Sequence, residues 1–113
     1  MNVAIEQKGA VSLVRVDETQ IGADSAEEFK TGIMNGIEVK GAKVAIDLSR
    51  VDFIDSSGLG ALVSLLKAVR PDGDLVLFGL RSGVREIMRL THLDAVFSLK
   101  DDESEALAAL PEG

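Results

Sequence analysis

Hydrophobic and polar residues alternate at the start of the chain, where Val3 and Ile5, then Val11, Leu13, Val14 and Val16, flank Lys8-Gly9-Ala10. This two-residue period, broken by a tight turn, predicts a hairpin of two strands and hence an antiparallel edge to a sheet. The period then lengthens. Ala26, Phe29, Ile33 and Ile37 recur at helical spacing behind Asp24, with Glu27 in capping-box position, and predict a first helix from about Ser25 to Asn35. Ala42 to Leu48 and Leu75-Val76-Leu77-Phe78 are short apolar runs of the kind buried on both faces in a central strand. Between them the stripe Leu62, Val63, Leu66, Val69 marks a second helix from Ser57 to about Val69, stopped before Pro71. Strand, helix and strand joined this closely imply a right-handed parallel crossover. Ser82 is placed to cap a third helix with Val84, Ile87 and Met88 inward, and Val96-Phe97-Ser98-Leu99 reads as a short strand. Asp101, Asp102 and Glu103 put negative charge at the start of a last helix through Ala106, Leu107 and Leu110, closed by Pro111.

The expected fold is a single α/β domain over residues 1–113. Its mixed sheet has four or five strands, with the Ala42 and Leu75 strands parallel and central and the helices mainly on one face. Asp55-Ser56-Ser57-Gly58-Leu59-Gly60 lies where the first central strand feeds the second helix. A glycine inside a helix costs about 1 kcal/mol relative to alanine, so Gly58 and Gly60 suggest close approach of another backbone or a ligand. The serines are good N-cap residues, and a helix N-terminus presents free N–H donors and partial positive charge to an anion.

Net charge narrows the partners. Twelve basic against nineteen acidic residues give −7, which repels nucleic acid and anionic membrane and leaves no basic stripe to overcome the repulsion. The absence of cysteine removes disulfides, thiolate metal sites and thiol nucleophiles. The first residues lack a basic n-region and a continuous apolar run, and no stretch approaches a membrane span, so the cytoplasm is the expected location and membrane insertion is not expected.

Enzymatic readings find little support. No histidine or third carboxylate stands near Asp52 and Asp55 in sequence, so these read as loop charges or a cap rather than an acid/base pair or metal ligands, and neither metal nor cofactor is expected. A phosphate cradle lacks its Gly-Lys-Ser/Thr end, and Ile54 occupies the place of the first glycine of a nucleophile elbow. The only histidine, His92, follows the third predicted helix, where left-handed geometry is wanted, and reads as a surface C-cap. A small hydrolase is therefore disfavoured. Arg81, Arg85 and Arg89 recur every four residues and form a basic face, read as solvated in preference to a partner contact.

Leu48-Ser49-Arg50-Val51-Asp52-Phe53-Ile54-Asp55-Ser56-Ser57-Gly58-Leu59-Gly60-Ala61-Leu62 resembles the anti-sigma factor antagonists, single-domain STAS proteins of bacterial partner-switching systems. The likeness runs loosely from the first strands through Arg85-Glu86-Ile87-Met88 to Leu93-Asp94-Ala95-Val96-Phe97, with the Asp-Ser-Ser-Gly-Leu-Gly core as its specific part. It implies a STAS-like fold and a binding module that docks, unphosphorylated, on a GHKL-type serine kinase doubling as anti-sigma factor. Phosphorylation would release it and a PP2C-type phosphatase would reset it. Carried over by position, the phosphoacceptor is Ser56, with Ser57 second, and the partner-binding set is Asp24, Asp55, Ser56, Ser57, Gly58, Leu59 and Gly60. The chain departs from the family at Gly22, where an Asp is usual; either Asp24 supplies that charge or the kinase-facing electrostatics differ. The alternative output is a STAS subunit acting on a membrane transporter or secretion complex.

Overall fold

In a computed structural model that describes residues 2–110, the hairpin forms from β1 (Val3–Lys8) and β2 (Val11–Val16). It turns at Gly9, whose φ of 64° lies in the left-handed region open to glycine. Two residues, Gln20–Ile21, make β3 before helix α1 (Ala26–Gly36). Strand β4 (Lys43–Asp47), the two-residue β5 (Phe53–Ile54), helix α2 (Ser56–Val69) and strand β6 (Asp74–Phe78) follow. Helix α3 (Ser82–Leu90), a 3-10 turn at Leu93–Ala95, strand β7 (Ser98–Lys100) and helix α4 (Glu103–Ala108) complete the described chain. Pro111, expected to close the last helix, lies outside the described residues.

The main sheet has five strands in the order β1-β2-β4-β6-β7. Only the β1/β2 pair is antiparallel; β2/β4, β4/β6 and β6/β7 run parallel. As expected, β4 is central with β6 parallel beside it, and the hairpin places β1 at the edge. The pleat sorts side chains by parity. Val14, Val44, Ile46, Leu75 and Leu77 face a core shared with Phe29 and Ile33 of α1, Leu62 and Leu66 of α2, and Val84 and Met88 of α3. Leu13, Ala45, Val76 and Phe78 face the other way, against Ala106 and Leu110 at the α4 end. Three helices thus cover one face and the short last helix the other. A second, miniature sheet pairs β3 with β5 in parallel, Gln20 opposite Phe53 and Ile21 opposite Ile54.

Three helix starts differ from the sequence expectation. The N-cap of α2 is Asp55, not a serine, and Ser56 is already helical. The N-cap of α3 is Arg81, one residue before Ser82. The N-cap of α1 is Ser25, so the Asp24/Glu27 capping box does not form; the Ser25 hydroxyl instead accepts from the Gly22 amide at 3.2 Å. At α2 the Asp55 amide is anchored on the Ile21 carbonyl, and at α3 the Arg81 side chain is held by the Ser49 carbonyl and Asp52, so long-range bonds fix where the chain enters these two helices. His92 adopts φ 61°, the only positive φ at a described residue other than glycine. Its amide donates to the Arg89 carbonyl at 3.1 Å, the helix-terminating role expected of it.

Candidate functional site

The segment Asp55–Gly60 is built around one carboxylate. Asp55 Oδ1 accepts from the Gly58 amide at 3.0 Å, closing the first turn of α2. Oδ2 accepts from the Ala23 amide, also at 3.0 Å, and so ties the loop before α1 to the start of α2. The backbone of Asp55 completes the clamp, donating to the Ile21 carbonyl at 3.2 Å and accepting from the Leu59 amide at 2.9 Å. One residue therefore joins β3, the α1 entry and the α2 N-terminus.

Gly58 is required by packing. A Cβ there would lie 2.5 Å from the Ile21 carbonyl oxygen and 2.6 Å from Ile54 Cγ2. The close approach inferred from the sequence is thus made to the chain's own backbone. Gly60 is different: its Cβ position has nothing within 4 Å. Gly22 sits against the clamp, where a Cβ would lie 3.0 Å from Asp55 Oδ2. An aspartate at 22, the residue usual in the resembling family, would bring a second carboxylate toward the first. The glycine leaves Oδ2 free to take the Ala23 amide.

The structure separates the sequence-derived residues by accessibility. Ser56, Ser57, Gly60 and Asp24 are exposed, Asp55 is half-buried, Gly58 is buried and the Leu59 side chain packs into the core. Gly58 and Leu59 therefore shape the surface from beneath. Because Asp55 is the cap, the hydroxyls of Ser56 and Ser57 make no hydrogen bond to another described residue. Ser57 and Gly60, with Ser64, border a groove of about 360 Å³ whose opposite wall is Ala23, Ala26, Glu27 and Lys30 at the α1 end. Asp52 is not a partner of Asp55; it pairs with Arg81 at 2.7 Å, and Arg81 Nε donates to the Ser49 carbonyl at 2.8 Å. No group of three or more potential metal ligands occurs among the described residues.

The arginine face of α3 is matched by acids throughout. Arg85 pairs with Asp101 at 2.8 Å and Arg89 with Glu86 one turn earlier. The Arg89 guanidinium, through its hydrogen bond, holds the Glu86 carboxyl below the ordinary carboxylate range. The pair is fully exposed, so water screens it and it contributes little to stability. This is the solvated face expected from the sequence.

The clamp makes a testable demand. Asp55→Ala leaves the Gly58 and Ala23 amides without their acceptor and should lower stability by about 1–2 kcal/mol, whereas Asp55→Asn, which keeps a cap oxygen, should lose less. Urea midpoints with an unchanged m-value would measure this. Equal midpoints for Asp55→Ala and wild type would show that the carboxylate holds nothing.

A five-stranded mixed sheet carrying an exposed serine on the first turn of the helix after its central strand defines a small α/β module with a presented hydroxyl. The matching family model is the STAS domain, over residues 2–106. The chain belongs to the STAS domain family. The anti-sigma-B factor antagonist of Listeria monocytogenes is 32% identical over 87 residues, covering 76% of each chain. The crystal structure of an anti-sigma factor antagonist from Mycobacterium paratuberculosis superimposes with a TM-score of 0.87 at 25% identity, over 98% of this chain and 94% of that one. The Bacillus cell fate determinant SpoIIAA in its phosphorylated form gives a TM-score of 0.69 at 19% identity, over 96% and 98% of the two chains, a likeness of fold alone.

Proposed function

We propose that the protein is an anti-sigma factor antagonist whose unphosphorylated form binds a GHKL-type serine-kinase anti-sigma factor and whose phosphorylation at Ser56 ends that binding. The supporting observation is the state of the Ser56 hydroxyl. It is exposed on the first turn of α2 and, with Asp55 as the cap, is not needed by the fold. A serine that capped its helix would give up a structural hydrogen bond on modification. This one gives up none, so the phosphorylation state changes the surface and leaves the core alone.

The electrostatics favour the same reading. Phosphoserine adds about −1.5 to −2 charge at neutral pH, and the N-terminal end of a 14-residue helix tolerates negative charge. Ser57 and Gly60, exposed on the same end of α2, and Asp24, exposed in the loop that Asp55 ties to α2, supply the contact area around the acceptor. A PP2C-type phosphatase resets the switch. No helix among the described residues is long and apolar enough to cross a membrane.

The test is to incubate the purified protein with each GHKL-type serine kinase of its own genome and ATP, then locate the phosphate by tandem mass spectrometry. A single phosphate on Ser56 is the expected result. Phosphate confined to Ser57 would move the acceptor, and no transfer with any kinase would overturn the reading.

A further inference from the structure

Phe53 breaks the rule that its own strand obeys. In β5 the neighbouring Ile54 points inward and is 1% exposed, as is usual for one parity of a half-buried strand, so position 53 faces water. A polar residue suits that position, yet the Phe53 ring is 51% exposed. The other large apolar residues exposed among those described, Leu90 and Val96, lie in the α3–β7 region. Isolated exposed apolar residues are common and need no explanation by themselves. What distinguishes Phe53 is its place.

Phe53 lies three positions before Ser56, a span of at most about 11 Å along the chain. A specific protein interface covers about 800 Å² on each partner, a patch roughly 30 Å across. An interface of that size centred on the Ser56 hydroxyl extends far enough to take in Phe53. The ring's surroundings fit an interface too. Beside it a cleft of about 330 Å³ is lined by Asp17, Glu18, Thr19, Arg50, Asp52 and Arg81. Within this cleft Arg50 pairs with Asp17 and Arg81 with Asp52, both at 2.7 Å. Exposed aromatic area bordered by charged groups is the arrangement of an interface core with its polar rim. The β3/β5 pairing, with Asp52 and Phe53 amides donating to the Thr19 carbonyl at 2.7 and 3.3 Å, holds the ring's backbone before any partner arrives.

We infer that Phe53 is the aromatic anchor by which the protein docks on the serine kinase that modifies Ser56, filling an apolar pocket on that enzyme outside its catalytic centre. The inference rests on the function proposed above and adds the residue that supplies affinity. Phe53 does not touch the reacting hydroxyl, so its loss removes binding shared by ground and transition states.

The experiment compares wild type, Phe53→Ala, Phe53→Leu and Leu90→Ala as substrates of the kinase that phosphorylates Ser56, with binding measured by calorimetry. Leu90 is a suitable control, being 64% exposed and about 13 Å along α3 from the Arg81 end that meets the β5 region. The expected result is a KM and Kd about 10-fold higher for Phe53→Ala with kcat unchanged, a smaller rise for Phe53→Leu, and none for Leu90→Ala. Phe53→Leu keeps apolar bulk and so reads out the effect even if the alanine variant folds poorly. Wild-type KM and Kd in both Phe53 variants, with normal phosphorylation of Ser56, would overturn the anchor and leave the proposed function standing. Concentration-dependent self-association that Phe53→Ala abolishes without changing KM would assign the ring to a second copy of the chain and equally overturn it. If no kinase binds or modifies the wild type, the proposed function fails and the anchor with it.

Discussion

Gly58→Ala should melt about 10 °C below the wild type, and Gly60→Ala a few degrees above it. The two glycines are two residues apart in the same helix, and propensity alone would stabilise both alanine variants by about 1 kcal/mol. Their surroundings reverse the sign at one of them. The methyl group at 58 would meet the Ile21 carbonyl oxygen at 2.5 Å and Ile54 Cγ2 at 2.6 Å, and that carbonyl belongs to β3 and already accepts from the Asp55 amide. Backbone cannot rotate away as a flexible side chain does. Overpacking of this kind costs up to about 3 kcal/mol or more, leaving a net loss of about 2 kcal/mol, and each kcal/mol moves the midpoint of a domain this size by about 4–8 °C. At 60 the methyl group enters open space, so the propensity gain stands. Thermal melts of the two variants beside wild type decide it. A Gly58→Ala midpoint equal to or above wild type would mean that β3 and the first turn of α2 are not seated as described.

Those two glycines also show where sequence reasoning stops. Both read as signs of close approach to some backbone or ligand, but periodicity says which face of α2 is apolar and nothing about which backbone lies 2.5 Å away. The hairpin, α1, the central strands and the stripe of α2 were legible, since each carries several residues of one period. Strands β3 and β5 were not. Two residues cannot display alternation, and Gln20–Ile21 and Phe53–Ile54 pair only because the folded chain brings them side by side. That ribbon also explains the misplaced cap. Asp55, Ser56 and Ser57 are all favourable cap residues, and the choice among them falls to Asp55 because its amide is already bonded to the Ile21 carbonyl. The apolar residues of α4 announced that it packs, without saying that it would cover the opposite face from the other three helices. Gly22, read as a departure from the family, is in the structure the opening through which Asp55 reaches the α1 loop.

On the proposed function, phosphorylation of Ser56 should weaken kinase binding about 100-fold and Ser56→Asp about 10-fold, while Ser56→Ala should leave it unchanged. These correspond to about 2.7, 1.4 and 0 kcal/mol. The assignment of the cap to Asp55 gives this series its discriminating power. Were Ser56 the cap, alanine would lose about 1 kcal/mol of stability and aspartate almost none. With Asp55 in that role, none of the three forms should melt more than about a degree or two below wild type. The acidic forms should gain about 0.3–1 kcal/mol from the α2 dipole, up to several degrees. Affinity should fall where stability does not. A charge on the first turn of α2 sits inside the footprint of any enzyme that reaches the Ser56 hydroxyl, and burying it there costs its hydration unless the partner offers a matched cation. Phosphate carries about twice the charge of aspartate and more bulk, so the loss is graded. Calorimetric titration of the four forms against the kinase, beside their melting curves, separates the two accounts. Equal affinities across the series would leave Ser56 an ordinary surface serine. An affinity loss that tracks a fall in melting temperature would trace the effect to the fold and not to the interface.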